Sequence, residues 1–353
     1  MLYMKKASKV LTIVSCIVLA LIAAAFAFVS IAVLGYGAGY NNSDGSWKRA
    51  SWKSSVGWTM EHPAFEEYGE YILPWREGAA SVTVPALSYY WMCLTTGWNT
   101  RDVVDGVNFM IGAEESGEAH FYKFYSARDI ADEPDKADTG LIYVPGDADK
   151  PFAFVVPGGG MTSEALTAEG FTAARELHSQ GYPVFMPIYR VSTRRSWEEQ
   201  EKIASEDFGN AVRYIFDNAE SLGVRTDGYS VWGYSAGGRL SWLWCLENKY
   251  GYSAYDLPAP AAVILSYSGW HDEQFAGNYG RVPSYFGYCA NDKVIGRELV
   301  HGIEEYINVL QSSGVKTEVH RYENAPHGYG TGAGTEAAGW MESAYAFWQS
   351  CLS

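Results

Sequence analysis

From about residue 119 onward this 353-residue sequence predicts an α/β fold, a mostly parallel twisted sheet with helices on both faces. Three observations carry the prediction. Strand-length apolar runs alternate with longer helical stretches. Several of those runs are apolar throughout instead of at every second position. A Gly-x-Ser-x-Gly segment joins one such run directly to a helical stretch. A continuous apolar run suits a strand covered on both faces, and regular strand–helix alternation makes neighbouring strands parallel.

The chain begins differently. Val10 to Leu34 is 25 residues without a charge. As a helix at about 1.5 Å per residue it would span roughly 37 Å, enough for a hydrocarbon core of about 30 Å. A cleavable leader has an apolar stretch of only about 7–15 residues, so residues 1–35 are expected to be a cytoplasmic N-terminus and transmembrane helix. Ala25-Phe26-Ala27 has the small-x-small form of a cleavage site and is the minor alternative. Lys5, Lys6 and Lys9 precede the span and orient it with the globular part outward, a bias that Lys48, Arg49 and Lys53 weaken. Residues 36–60 are glycine-rich and polar, as in a tether. Residues 61–118 are an aromatic-rich extension of irregular pattern, expected either to cap a site or to fill core with its Trp and Tyr side chains.

Within 119–353 the strands follow in order: Phe121–Tyr125, Gly140–Val144, Phe152–Val156, Val184–Tyr189, Tyr229–Trp232, Ala262–Tyr267, Ser284–Tyr288 and Thr317–Tyr322. Pro187 is awkward within the fourth and suggests its end. Helical patterns cover Glu164–Ser179, stopped by Gly181, and 196–222. The latter opens on the capping-box form Ser196-x-x-Glu199 and is stopped by Gly223. Further helices are expected at about 236–248, 297–313 and 336–350.

Charge and cysteine content remove some functions. The chain has 26 Lys+Arg against 41 Asp+Glu, a net charge of −15. The first 40 residues hold three lysines and no acid, leaving −18 on the remainder. Such a surface repels phosphate backbones, so no nucleic-acid partner is expected. Five cysteines (Cys16, Cys93, Cys245, Cys289, Cys351) show no Cys-x-x-Cys spacing, so no structural zinc site is expected.

The chemistry centres on Gly233-Tyr234-Ser235-Ala236-Gly237. Between a strand and a helix this pattern forms a tight elbow that lifts the serine hydroxyl from the sheet's carboxyl edge. Upstream, Pro157-Gly158-Gly159-Gly160 ends a buried strand. Consecutive glycines let main-chain N–H groups face a developing oxyanion, and the amides of Gly159, Gly160 and Ala236 are the expected donors. A serine nucleophile needs a base, and the base needs an orienting carboxylate. Asp292, on the loop after Ser284–Tyr288, and His327, on the loop after Thr317–Tyr322, stand in the expected chain order. His271 and Asp272 are the rival pair. His62, His120, His178, His301 and His320 lie off the expected loops, with His320 read as structural within its strand.

The series Val155-Val156-Pro157-Gly158-Gly159-Gly160, Tyr189-Arg190-Val191, Gly233 to Gly238, Ala290-Asn291-Asp292 and Ala325-Pro326-His327-Gly328 resembles the α/β-hydrolase superfamily. It is most similar to bacterial acetyl-esterase/lipase-like members of the hormone-sensitive lipase and acetyl xylan esterase groups. The resemblance covers about residues 119–353. It implies Ser235 as nucleophile, His327 as base, Asp292 as orienting acid, and carboxylic ester hydrolysis on short-chain acyl groups. Pro157 stands where the hormone-sensitive lipase pattern has His, which leans toward the xylan-esterase-like branch. Asp207 matches an acidic helix position common in these enzymes and is read as structural. The implied chemistry uses no metal or organic cofactor. The expected substrate is a small-molecule or carbohydrate ester, and the membrane is contacted through the N-terminal helix. Two alternatives stand beside it: a serine peptidase or amidase on the same fold, and a non-catalytic envelope binding protein.

Overall fold

The computed structural model describes residues 47–51, 54, 56–72, 97–270 and 279–352. The run Val10–Leu34, most of the tether, residues 73–96 and the rival pair His271 and Asp272 lie outside the described residues. Among the described residues no helix is long and apolar enough to cross a membrane.

Eight strands form one sheet: β1 (His120–Tyr122), β2 (Gly140–Val144), β3 (Pro151–Val156), β4 (Val184–Ile188), β5 (Arg225–Tyr234), β6 (Ala262–Ser266), β7 (Ser284–Cys289) and β8 (Thr317–Tyr322). Their spatial order is β1-β2-β4-β3-β5-β6-β7-β8. β1–β2 and β2–β4 pair antiparallel, and every other neighbour pair is parallel. The predicted mostly parallel sheet is therefore present. β1 stops three residues short of the expected end because Ser126 caps the short helix Ala127–Asp132 with a full capping box. Pro187 remains inside β4. The β3–β4 register covers only Val184 and Phe185, so the missing N–H of Pro187 falls beyond that ladder.

The apolar runs work by alternation across two buried faces. Ile142, Val144, Val155, Met186, Trp232 and Ile264 join one hydrophobic cluster. Leu141, Tyr143, Phe154, Phe185, Val231 and Val263 join the other. The first face is covered by α1 (Thr100–Glu115), α2 (Phe171–Ser179) and α6 (Trp340–Gln349). The second is covered by α3 (Trp197–Asp217), α4 (Ala236–Cys245) and α5 (Gly296–Ser312). The Ser196/Glu199 capping box opens α3 as the sequence predicts. Gly223, at φ 66°, ends the short helix Ala219–Leu222 that follows it.

Two departures bear on the site. The predicted helix 164–179 opens with a one-turn π-helical segment, Leu166–Gly170, before α2 begins. Such turns are rare and concentrate at functional positions. Second, α1 lies within the stretch expected to be irregular. Its apolar positions Val103, Val107, Met110 and Ile111 have helical spacing, and the Asn99 side chain caps it by accepting from the N–H groups of Arg101 and Asp102. Gly106 allows a close crossing with α2: a Cβ there would lie 3.0 Å from the Thr172 nitrogen. Trp58, Phe65, Tyr68, Val107 and Met110 share a cluster with Phe171, Leu177 and Ile142. The described part of the aromatic extension thus supplies core side chains to the sheet's first face.

Candidate active site

The nucleophile position is set by the junction of β5 and α4. Ser235 has φ 49° and ψ −119°, a conformation that costs a non-glycine residue about 1–3 kcal/mol. The turn is held by the Ser235 N–H, which donates to the Ser266 carbonyl at the end of β6 (3.0 Å), and by the Ser235 carbonyl, which accepts from Arg239 N–H (3.1 Å). Gly237 is required by close approach, since a Cβ there would collide with the carbonyl oxygens of Val156 and Pro157.

Two strand-end loops deliver the partners. Ser235 Oγ lies 2.9 Å from His327 Nε2. His327 Nδ1 lies 2.8 Å from Asp292 Oδ2. The Asp292 side chain is fully buried and that of His327 is 6% exposed. Asp292 Oδ1 accepts from the N–H groups of Val294 (2.8 Å) and Ile295 (3.2 Å). Burial acts to raise the Asp292 carboxyl. The hydrogen bond and charge of His327, with the two amides, outweigh it and hold the group below the ordinary carboxylate value. The three residues singled out in the sequence therefore stand in one hydrogen-bonded series. His320 pairs with Glu318 (2.8 Å) on β8, a structural placement, and His62 accepts from Ala64 N–H in the N-terminal segment.

The glycine loop lies against the serine. A Cβ on Gly158 would fall 2.7 Å from Ser235 Cβ and 2.6 Å from the Tyr234 carbonyl oxygen. Gly159 (φ 137°), Gly160 (φ 62°) and Met161 (φ 56°) are three successive positive-φ residues. The Tyr189 hydroxyl donates to the Pro157 carbonyl (2.8 Å), which ties the Tyr189-Arg190 segment to this loop. Arg190 in turn is locked to Asp207: its N–H, Nε and Nη2 donate to that carboxylate at 2.8, 3.0 and 2.7 Å. Asp207 also accepts from the Tyr125 hydroxyl (2.7 Å), in keeping with a structural role.

Sequence reasoning passed over Glu169. This side chain is buried on the π-helical turn. It accepts from Gly158 N–H (2.6 Å) and from the Tyr267 hydroxyl (3.1 Å). Burial pushes its carboxyl up, while Gly158, the His327 charge, Tyr267 and Trp98 pull it back. The available signal was an acid inside the apolar run Leu166-Thr167-Ala168-Glu169-Gly170-Phe171. The aromatic extension also reaches the site, because Gly97 N–H donates to the His327 carbonyl (3.0 Å). A cavity of about 490 Å³ opens around the Tyr189–Arg195 segment, lined also by Tyr71, Asp138, Thr162 and Glu164, and none of Ser235, Asp292, His327 or Gly158–Gly160 lines it.

Comparison with known proteins bears on the fold. The BD-FAE family model matches residues 141–256. Solved structures overlay across most of their own length. An acetyl ester-xyloside bifunctional hydrolase from Caldicellulosiruptor lactoaceticus is 19% identical with a TM-score of 0.53, covering 65% of this chain and 96% of its own. The chain has the α/β-hydrolase fold. A butyrate-bound thermophilic esterase from Thermogutta terrifontis, 18% identical, gives the same TM-score over 67% of this α/β-hydrolase and 95% of its own chain. At these identities the likeness is one of fold. By sequence, the α/β-hydrolase is 24% identical over 200 residues to an acetylxylan esterase of Xylanibacter ruminicola, 50% of this chain and 40% of that protein. The match thus spans about two fifths of that curated relative's length.

Proposed function

We propose that this α/β-hydrolase is a serine carboxylic ester hydrolase acting on short-chain acyl esters, acetyl esters foremost. The observation that carries the proposal is the series Ser235 Oγ–His327 Nε2–Asp292, at 2.9 and 2.8 Å, beside a positive-φ glycine loop. In the proposed reaction Ser235 Oγ attacks the ester carbonyl carbon while His327 Nε2 takes its proton. The oxyanion rests on the amides of Gly159, Gly160 and Ala236. The C–O bond to the alcohol breaks, and His327 returns the proton to the departing alkoxide. Water then adds to the acyl-enzyme by the same route, releasing the acid and restoring Ser235. Asp292 holds His327 in the tautomer that presents Nε2 to the serine.

The acetylxylan esterase relationship supports a carbohydrate acetyl ester as substrate. The run Val10–Leu34 and its preceding lysines support anchoring of the enzyme in a membrane with the catalytic part outside the cytoplasm.

Labelling of the full chain by a fluorophosphonate, with Ser235→Ala as control, tests the nucleophile. Equal labelling of both proteins, or none of either, rejects it. Turnover of acetylated xylo-oligosaccharides against p-nitrophenyl acetate tests the alcohol: a kcat/KM on the sugar no better than on the simple ester rejects the carbohydrate assignment.

A further inference from the structure

Glu169 has no place in the acyl-transfer steps above, yet it touches both halves of the site. Its Oε2 accepts from Gly158 N–H at 2.6 Å and its Oε1 from the Tyr267 hydroxyl at 3.1 Å. Gly158 is wedged between this carboxylate and the nucleophile: a Cβ there would lie 3.0 Å from Glu169 Oε2 and 2.7 Å from Ser235 Cβ. On the other side, the Tyr267 ring meets the His327 ring edge-on, with centroids 5.2 Å apart and planes at 66°. Tyr267 holds this pose at φ 40°, a backbone conformation unusual for a bulky side chain.

The geometry of Gly158 explains why its N–H matters. Its carbonyl accepts from Ala165 N–H at 2.9 Å, so the group is tied on both flanks. In a trans peptide the carbonyl and the following N–H point in opposite directions. Fixing the Gly158 carbonyl toward Ala165 therefore turns the Gly159 N–H away from it. Gly159 and Gly160 follow at positive φ, which glycine adopts freely, so contacts from neighbouring groups must select this conformation, and Met161 holds φ 56° as a non-glycine residue. The two hydrogen-bond partners named for Glu169 are both donors, which suits a carboxylate. A buried carboxylate is expensive, and a neutral acceptor would satisfy the same donors. The Leu166–Gly170 π-helical turn is what brings this side chain to the loop.

We infer that Glu169 is a positioning residue: its carboxylate clamps the Gly158 peptide so that the loop amides face the oxyanion, and through Tyr267 it braces the ring of His327. This rests on the ester-hydrolase reading of Ser235, and the test separates the two. Wild type, Glu169→Gln, Glu169→Ala and Tyr267→Phe are compared on p-nitrophenyl acetate, together with the affinity of an arylboronic acid, whose tetrahedral serine adduct places an oxygen where the oxyanion forms. Glu169→Ala is expected to lower kcat on the order of 10- to 100-fold with KM within about twofold, short of the 10²–10³ that follows outright loss of an oxyanion donor. Boronate affinity is expected to weaken in parallel. Glu169→Gln, which keeps an acceptor for Gly158, is expected to fall between Glu169→Ala and wild type, and Tyr267→Phe to show a smaller loss of the same kind. Should Glu169→Ala fail to fold, Glu169→Gln and Tyr267→Phe carry the comparison. Wild-type kcat in the Glu169 variants, or a kcat loss with boronate affinity unchanged, overturns the inference while Ser235-dependent labelling stands. If the wild type neither labels nor hydrolyses the ester, the ester-hydrolase reading falls and the inference with it.

Discussion

His327 Nδ1 sits 2.8 Å from Asp292 Oδ2, while the other oxygen of that carboxylate accepts from the backbone N–H groups of Val294 and Ile295. The two oxygens thus have different duties, and this decides how an isosteric change behaves. In Asp292→Asn the amide oxygen goes to the two backbone donors, which turns the NH2 group toward His327 Nδ1. The ring must then carry its proton on Nε2, where it can no longer accept from Ser235. A kcat loss of about 10³–10⁴ is expected in a variant that still melts cooperatively, since size and backbone hydrogen bonds are kept. Steady-state rates and a thermal melt check it, and a loss under tenfold rejects the role given to Asp292.

The same carboxylate makes a pH-dependent contribution to stability. Its pKa in the folded protein lies below the ordinary value, because burial is outweighed by His327 and two amides. A depressed acid stabilises the fold fully above its unfolded pKa of about 3.9 and loses that contribution as pH falls through the folded value. The stability difference between wild type and Asp292→Asn should shrink as pH falls below about 4. Urea midpoints measured above and below that pH test the sign, and a gap that widens with acid contradicts it.

Gly159 combines a φ of 137° with a neighbour in the way, since a Cβ would overlap the Ser163 carbonyl oxygen. That carbonyl is backbone, so relief requires the loop itself to move and carry the Gly159 and Gly160 amides with it. Gly159→Ala is expected to reduce kcat by about 10²–10³, the range for loss of an oxyanion donor. Ser235 sits on a separate turn, so fluorophosphonate labelling should slow in proportion to turnover and not vanish. An alanine variant with wild-type kcat would remove this loop from the oxyanion assignment.

What sequence conveys and what it hides divide along local lines. Phe152–Val156 could be read as a doubly covered strand because every residue in it is apolar, and both faces of the sheet are indeed packed. The Gly233–Gly237 elbow, the Pro157–Gly160 loop, Asp292 and His327 could be read because backbone geometry and strand-end position restrict which residues serve there. Ser196 and Glu199 announced the start of α3 because a capping box is complete within four residues. Helix α1 stayed hidden because Gly106 and Gly112 interrupt an otherwise helical face, and the use of Gly106 lies in Thr172, far along the chain. Glu169 stayed hidden for the same reason. Its partners Gly158 and Tyr267 are 11 and 98 residues away, and the apolar run around it signals burial without saying which groups the acid meets.

Arg190 and Asp207 form the most enclosed ion pair among the described residues, at 3% and 0% side-chain exposure, and they differ from the site residues in what their loss should do. Asp207 accepts four hydrogen bonds from three groups of Arg190 and one from the Tyr125 hydroxyl. Removing it in Asp207→Ala strands a guanidinium inside the protein, and breaking a buried pair from one side costs about 3–5 kcal/mol. Glu133 and Asp135 also reach Arg190, at 3.2 and 3.1 Å, from side chains 53% and 39% exposed. They offset part of the loss, so a value near 3 kcal/mol is expected from urea unfolding. The effect on turnover should be small in the protein that remains folded. Tyr189 carries the contact to the Pro157 carbonyl, and its position is also fixed by its own N–H donating to Glu164 Oε1 at 2.7 Å. A large stability loss with kcat within a few-fold of wild type separates this pair from Asp292. A collapse of kcat at unchanged stability would instead place Arg190–Asp207 in the chemistry.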